Sequence, residues 1–426
     1  MGDSARPNGS ATGRPTTVDR VASVVFVAPY FLPATSRFIA AVASLPGVRL
    51  GVVSQDPQER LPEDIRSRLT GHYRLDDALD ADQLTRAVGA LASVLGEVDR
   101  LIGALEEIQV PMALVREAVG IPGIGVETAN NFRDKNRMKE VLSEKGLPCA
   151  RHLLVSRPQE ARHFVSQVGL PVVAKPQAGS GARNTFRLDS KEQLEDWLRI
   201  TPPGPERPTL LEEFILGDEH AFDCVFLGGG PVWWSVTRYH PTPLEVMENP
   251  WIQWAAILPR HISGPEFSEI GSAGPAAIAA LGLDTGLVHM EWFRRRDGSI
   301  AISEAAVRPP GAQFTTLISY AHDFDLYLAW AELMVFGTFD APERQYAVGA
   351  AYLRGQGSGS VRAIHGLEAA QAAVSGLVME VKLPQPGQTE SAHYEGDGYV
   401  IVRHRNTAVV EKAIAAIISN VRVELA

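Results

Sequence analysis

Hydrophobic positions near the start of the chain follow two alternating rhythms. VASVVFVAP, residues 21–29, is an apolar, β-branched run that predicts a buried strand. Residues 38–45 repeat apolar positions at helical spacing and stop at Pro46-Gly47, and residues 48–54 predict a second strand. Residues 84–95 return to the helical period, and residues 101–105 predict a further buried strand. This alternation predicts an open, mostly parallel α/β sheet over residues 19–129. The polar stretch 1–18 ahead of it reads as a flexible tail.

Near residue 130 the rhythm changes. Residues 131–145 predict one charged amphipathic helix, closed by Gly146 with Pro148 beyond it. Short strands and helices then alternate as far as TPPGPERP, residues 201–208, which reads as a loop. Strands dominate from Leu210 to Glu304, and a last segment runs from AVGAAYLRG, residues 347–355, to a helical run at 408–419. The expected class combines α/β and α+β patterns. Its parts are residues 19–129, residues 130–345 with a small lobe over 148–208, and residues 346–426.

Composition narrows the partners. The 426 residues are 45% hydrophobic and 21% charged, ordinary values for a soluble chain of more than one domain. A formal net charge of −10 argues against a general binder of nucleic acid or anionic membrane. The two cysteines, Cys149 and Cys224, form neither a disulfide framework nor a zinc pattern and are expected to be small buried hydrophobes. No apolar run is long enough to span a bilayer, and MGDSARPNGSATGRPTT has no apolar signal core, so a cytoplasmic location is expected. Gly120, Gly123 and Gly125 reverse the spacing of a dinucleotide fingerprint and read as turns, which disfavours a nicotinamide enzyme.

Three segments carry chemistry. In PVVAKPQAGSGARNTFRL, residues 171–188, a strand reaches Lys175, a small-residue loop follows, and a second strand spans 184–188. Backbone N–H groups around Gly179, Ser180 and Gly181 could approach a phosphate closely, and Lys175 would neutralise it. A plain flexible turn explains the loop equally well. In HMEWFRRRDGSIAISEAAVRPPG, residues 289–311, Asp297-Gly298 predicts a two-residue hairpin turn. That turn pairs Glu291 with Glu304 and His289 with Ala306, on a face shared with Phe293, Ile302 and Arg308. Facing carboxylates about 5 Å apart repel and call for a cation, and oxygen ligands suit Mg²⁺, with Mn²⁺ as an alternative. The competing reading is a pair of solvated glutamates. In LEEFILGDEHAFDCVF, residues 211–226, an irregular connector after Glu212 and Glu213 offers backbone groups to a base and a carboxylate to a ribose. Surface charge is the competing explanation there.

Taken in order, these segments resemble the ATP-grasp superfamily over about residues 130–311. RDKNRMKEVLSEKGLPCA resembles the family's entry segment, with Lys135 as the first nucleotide lysine. VVAKPQAGSGA resembles the second lysine and phosphate loop, which implies Lys175 on the phosphates covered by Gly179, Ser180 and Gly181. LEEFILGDE resembles the hinge, implying Glu212 and the backbone of Glu213, Phe214 and Ile215 at adenine and Glu219 at ribose. HMEWF and ISEAAVRPPG resemble the metal strands, implying Glu291 and Glu304 as metal ligands and Arg308 at transferred phosphate or substrate carboxylate. The segment from Ala347, including GDGYVIVRHR, is similar to the closing lobe of carboxylate-amine ligases and biotin carboxylases. One departure stands out: the family often has Glu-x-Asn-x-Arg where this chain has Glu304-Ala305-Ala306-Val307-Arg308, so Ala306 cannot be a ligand.

The resemblance implies ATP and Mg²⁺ as cofactors. It implies a ligase that activates a carboxylate as an acyl phosphate and passes it to an amine, with Arg308 and Lys175 in catalytic roles. The implied partners are small molecules, amino acids or short peptides, with no nucleic acid and no membrane; a homodimer is left open. Two alternatives stay open. One is a biotin carboxylase-like enzyme acting on bicarbonate with a separate carrier; the other is an ATP-binding module without catalysis. Tyr239, His240, Trp251 and Trp254 are read either as an acceptor pocket or as core.

Overall fold

The computed structural model describes residues 21–179, 184–249, 251–391 and 395–426, so Ser180, Gly181 and the proposed tail at 1–18 lie outside the described residues. Strand β1 (Ala22–Val27) runs between β2 (Val48–Ser54) and β4 (Arg100–Ile102), with β3 (Gly71–Arg74) beyond β2, all parallel. Val24 and Phe26 face a core shared with the helix Pro33–Ser44, while Val25 and Val27 face the helices Ala81–Leu95 and Gln109–Val119. Burial on both faces is why β1 reads as an unbroken apolar run. β4 is shorter than the predicted 101–105. At Gly103 an added Cβ would lie 2.5 Å from Ile108 and 2.9 Å from the Val27 carbonyl oxygen. The chain leaves the sheet there, into a loop carrying Glu106.

The helix predicted over 131–145 is two helices, Val126–Arg133 and Lys135–Glu144. Asp134 separates them in extended conformation, its carboxylate accepting hydrogen bonds from the backbone N–H of Asn136 at 2.9 Å and of Arg137 at 3.1 Å. An aspartate is among the best residues for such a cap, so the helix restarts there. The break places Lys135 in the first turn of the new helix. Its backbone N–H donates to the Gln177 carbonyl at 2.9 Å.

A small antiparallel sheet follows, made of β5 (His152–Val155), β6 (Val172–Pro176), β7 (Phe186–Leu188) and β8 (Thr209–Glu213) in the order β5-β8-β6-β7. The helices Pro158–Val168 and Lys191–Ile200 bury Phe164 and Trp197 against it. β7 starts at Phe186 rather than at 184, because Asn184 takes a left-handed φ of 55°.

The body of the protein is an eight-stranded sheet. It contains β9 (Gly217–Leu227), β10 (Gly230–His240), β11 (Trp254–Leu258), β12 (Gly286–Arg295), β13 (Ile300–Ala306), β14 (Ala347–Leu353), β17 (Val378–Lys382) and β18 (Gly398–His404). The order is β13-β12-β9-β10-β11-β14-β18-β17, so the sheet continues across residue 346. β15 (Gly355–Gln356), β16 (Val361–His365) and β19 (Arg422–Leu425) form a separate three-stranded sheet beside the helix Thr407–Asn420. β19 follows the predicted terminal helix and was too short to read from alternation. Trp330, on the helix Leu326–Phe336, packs edge-on against Phe26 and Phe38 and docks the first sheet on the body.

The β12–β13 hairpin departs from the predicted turn in an instructive way. Arg295 and Ser299 close a three-residue connection, Arg296-Asp297-Gly298, with Gly298 at φ 90° and the Asp297 carboxylate accepting from the Ser299 N–H and hydroxyl. The extra residue shifts the register near the turn, so Phe293 faces Ala301 and Trp292 faces Ile302. A bulge at Ser303 then shifts it back. Beyond the bulge Glu291 faces Glu304 and His289 faces Ala306. β13 ends at Ala306, and Arg308 follows a tight turn rather than continuing the strand.

Cys224 is buried, but Cys149 is partly exposed, contrary to expectation; both are free. Trp254 is core, stacked on Tyr352 at 3.9 Å, whereas Trp251 is exposed and His240 lies at the surface. Among the described residues no helix is long and apolar enough to cross a membrane.

Candidate functional site

A cavity of about 790 Å³ lies where the small sheet meets the eight-stranded one, with walls from the first domain and the last segment. Lys135, Lys175, Gly179, Glu212, Glu213, Phe214, Ile215, Glu219, Glu291, Glu304 and Arg308 all line it, together with Glu106, Tyr239, His289 and Asp397. Every described residue named for the nucleotide, the metal or catalysis is therefore in one place, whereas of the candidate acceptor residues only Tyr239 lines it.

Strand alternation builds the floor. Glu219, Ala221 and Asp223 alternate along β9, and β12 sets Phe293 opposite Glu219, Glu291 opposite Ala221 and His289 opposite Asp223. With Glu304 facing Glu291 from β13, the carboxylates of Glu219, Asp223, Glu291 and Glu304 share one face. The carboxyls of Glu219, Glu291 and Glu304 are not shifted alike. Burial pushes the Glu219 carboxyl well above the ordinary 4.5, and Glu291 adds to the push. Burial and then Glu304 raise the Glu291 carboxyl as well. Burial also opposes the charge of Glu304, but Lys135 and Lys175 outweigh it and hold its carboxyl below the ordinary value.

The lysines come from the other side. Lys135 Nζ lies 2.8 Å from Glu304 and donates to the Gly179 carbonyl at 2.7 Å. Lys175, on β6, is buried, with Nζ 2.8 Å from Glu212 on the neighbouring β8. Burial works against its charge, yet Glu212, Glu304 and Glu291 together raise its pKa. Glu213 turns outward to Arg151 at 2.6 Å and Arg295 at 2.8 Å, which ties the hinge to the hairpin.

Three features escaped the sequence reading. Lys139 is fully buried with Nζ 3.4 Å from Glu212, one helical turn after Lys135, so the i, i+4 spacing could have flagged it. Asp223 is fully buried and contacts His289 Nδ1 at 2.8 Å, and strand alternation from Glu219 was its signal. Glu106 accepts from Arg133 at 2.7 Å and from Arg308 Nε at 3.3 Å. It comes from the loop after β4, and nothing local in the sequence points to it.

Among the described residues no three His, Cys, Asp or Glu side chains are arranged to hold a metal by themselves. Mg²⁺ takes one or two carboxylates and completes its shell with phosphate oxygens and water, so Glu291 and Glu304, facing each other, would suffice as its protein ligands. Burial first and repulsion between the acids next raise the Glu291 and Glu219 carboxyls, so a cation there would relieve part of that cost, and their oxygen donors fit such an ion. Opposite them, buried lysines beside a loop fit a polyphosphate, and the hinge from Glu213 to Ile215 lines the same cavity where a base would lie.

No protein-family model matches the chain. An L-arginine-specific L-amino acid ligase of Bacillus subtilis is 27% identical over 270 residues, 62% of this chain and 64% of that protein. An alanine–anticapsin ligase of Bacillus subtilis strain 168 is 23% identical over 248 residues, 53% of this chain and 52% of that protein. The matches thus span less than two thirds of the length of either ligase. Among solved structures, an L-amino acid ligase from Bacillus licheniformis superposes with a TM-score of 0.74 at 18% identity, covering 96% of this chain and 100% of that one. An N5-carboxyaminoimidazole ribonucleotide synthetase from Thermotoga maritima superposes with a TM-score of 0.67, also at 18% identity, covering 95% and 100%.

Proposed function

We propose that this chain, whose fold is that of the ATP-grasp carboxylate-amine ligases, joins a carboxylate to an amine at the expense of ATP, through an acyl phosphate and with release of ADP and phosphate. The observation that carries the reading is the meeting of Lys135 and Lys175 with Glu291 and Glu304 in one cavity. In this reading Glu212 and the backbone of Glu213, Phe214 and Ile215 receive adenine, and Glu219 receives ribose. Lys135, Lys175 and the loop at Gly179 hold the phosphates, with Ser180 and Gly181 completing the loop. Glu291 and Glu304 would hold Mg²⁺, which supplies charge neutralisation between the phosphate groups.

The residues then divide the chemistry. Lys175 and Lys135 stabilise charge on the γ-phosphoryl group as the substrate carboxylate oxygen attacks it. Arg308, oriented by Glu106, stabilises the oxyanion formed when the amine attacks the acyl carbon and phosphate leaves. The small lobe carrying β6 and β8 keeps water from the acyl phosphate by closing over it. One relative is named an L-amino acid ligase and another a ligase of alanine, which favours amino acids or short peptides as substrates here. A cytoplasmic location suits an ATP-using enzyme with two free thiols.

The test is release of ADP and phosphate with paired amino-acid pools and, separately, with bicarbonate, followed by product masses. A dipeptide mass supports the proposal. Turnover with bicarbonate alone would select the carboxylase, and nucleotide binding without turnover in any mixture would select the binding module.

A further inference from the structure

Two buried lysines share one buried carboxylate beside the candidate phosphate site. Glu212 places Oε1 2.8 Å from Lys175 and Oε2 3.4 Å from Lys139. A structural ion pair needs one cation for one anion. The second lysine is expensive, since Lys139 is 0% exposed and its Nζ makes no hydrogen bond among the described residues. We infer that Lys139 is a positioning residue for Lys175: it is the standing counter-ion of Glu212 and lets Lys175 exchange that carboxylate for the phosphates of a nucleotide. This rests on the nucleotide-binding part of the reading above.

The reason lies in what exchange would otherwise leave behind. If Lys175 turned to a phosphate without Lys139 present, Glu212 would be an unpaired charge in a closed interior, which is strongly unfavourable. With Lys139 in place the carboxylate keeps a cation, and departure of Lys175 also relieves repulsion between the two ammonium groups. Lys139 is fixed for this task on a helix, whereas Lys175 sits on β6, in the lobe that would close over the nucleotide. The pKa directions agree: burial raises the Glu212 carboxyl, but Lys139 and Lys175 together hold it below the ordinary value.

The experiment is calorimetric binding of Mg-ATP and of adenosine to the full chain, comparing wild type with Lys139→Met and Lys139→Gln. Adenosine occupies the base and ribose positions without asking Lys175 to leave Glu212. The expected result is Mg-ATP binding weakened about tenfold or more, the loss of roughly one charge-assisted contact, with adenosine, whose base meets Glu212 without any exchange of Lys175, weakened by clearly less. Equal weakening of both ligands, or of neither, overturns the inference, as does failure of both variants to fold, which would make Lys139 a structural residue. If wild type itself does not bind Mg-ATP, the ligase reading fails first, and the two failures are told apart.

Discussion

Lys135 contacts Glu304 at 2.8 Å, while Glu291, which faces Glu304 across the hairpin, makes no ion pair among the described residues. The two acids therefore differ in their apo environment although they stand together as candidate metal ligands. Glu291→Gln removes a charge that its neighbour already opposes, so apo stability should hold or rise. Glu304→Gln takes from Lys135 its carboxylate partner, leaving the Gly179 carbonyl among the described residues, and should cost about 1–3 kcal/mol. With Mg-ATP the difference should disappear: both variants should need much more Mg²⁺, and the double variant should be little worse than either single one. Melting temperatures and activity against Mg²⁺ concentration check this. Wild-type metal dependence in Glu291→Gln would remove the acids from the metal site.

Glu219 gives a pH signature. Its folded pKa is raised above the ordinary 4.5 by burial first and by Glu291 and Glu304 next. Below 4.5 folded and unfolded chains both hold the proton, so this group takes nothing from stability. As pH rises from there through the folded value, the unfolded chain releases its proton more readily, and stability is lost. Apo protein should thus lose stability as pH rises through this window. Glu219→Gln should flatten that slope, which thermal melts across the range would reveal; an unchanged slope would assign it to other groups.

For Lys175→Met the fold should persist, because Glu212 keeps Lys139. Turnover should fall by about 10²-fold or more, the usual scale for losing one preorganised group that stabilises transferred charge. Single-turnover ADP formation alongside a melting curve separates the two effects. A variant that melts like wild type and turns over like wild type would place Lys175 outside the chemistry.

Two glycines at the rim should fail differently. Gly298 has no neighbour within 4 Å where a Cβ would sit, but its φ is 90°, so Gly298→Ala should cost about 1 kcal/mol through backbone strain alone. At Gly217 an added Cβ would lie 2.0 Å from the Arg294 carbonyl oxygen, so Gly217→Ala has to push β9 from β12. Its cost should be clearly larger, and nucleotide binding at the adjoining hinge should weaken with it. Denaturant melts of both variants give the comparison.

Most of the site was legible because its residues sit on regular elements. Period-two alternation put Glu291 and Glu304 on one face, and the pairing held even though the turn had three residues rather than two. Two one-residue irregularities cancelled, at Gly298 and at Ser303. The same irregularities misplaced Phe293 and Ile302, which lie between them. The break at Asp134 was missed because a capping aspartate looks like any surface charge until the helix on either side is seen. Glu106 was beyond reach for a different reason: it meets Arg308 only through a contact spanning 202 residues. The burial of Lys175 was not legible because burial of a charge depends on its partner, and Glu212 lies on another strand.

Glu219, Glu291 and Glu304 hang from adjacent strands of one hydrogen-bonded sheet, whereas Lys135, Lys139 and Lys175 arrive on a helix and a separate small sheet. Spacing among the acids is consequently a property of the main chain, fixed at the strand repeat and insensitive to how neighbouring side chains pack. Spacing between acids and lysines belongs instead to the joint between two bodies. Sequence drift in the surrounding core can therefore retune how the halves meet, and with it which substrates are enclosed, without disturbing the distances among the acids.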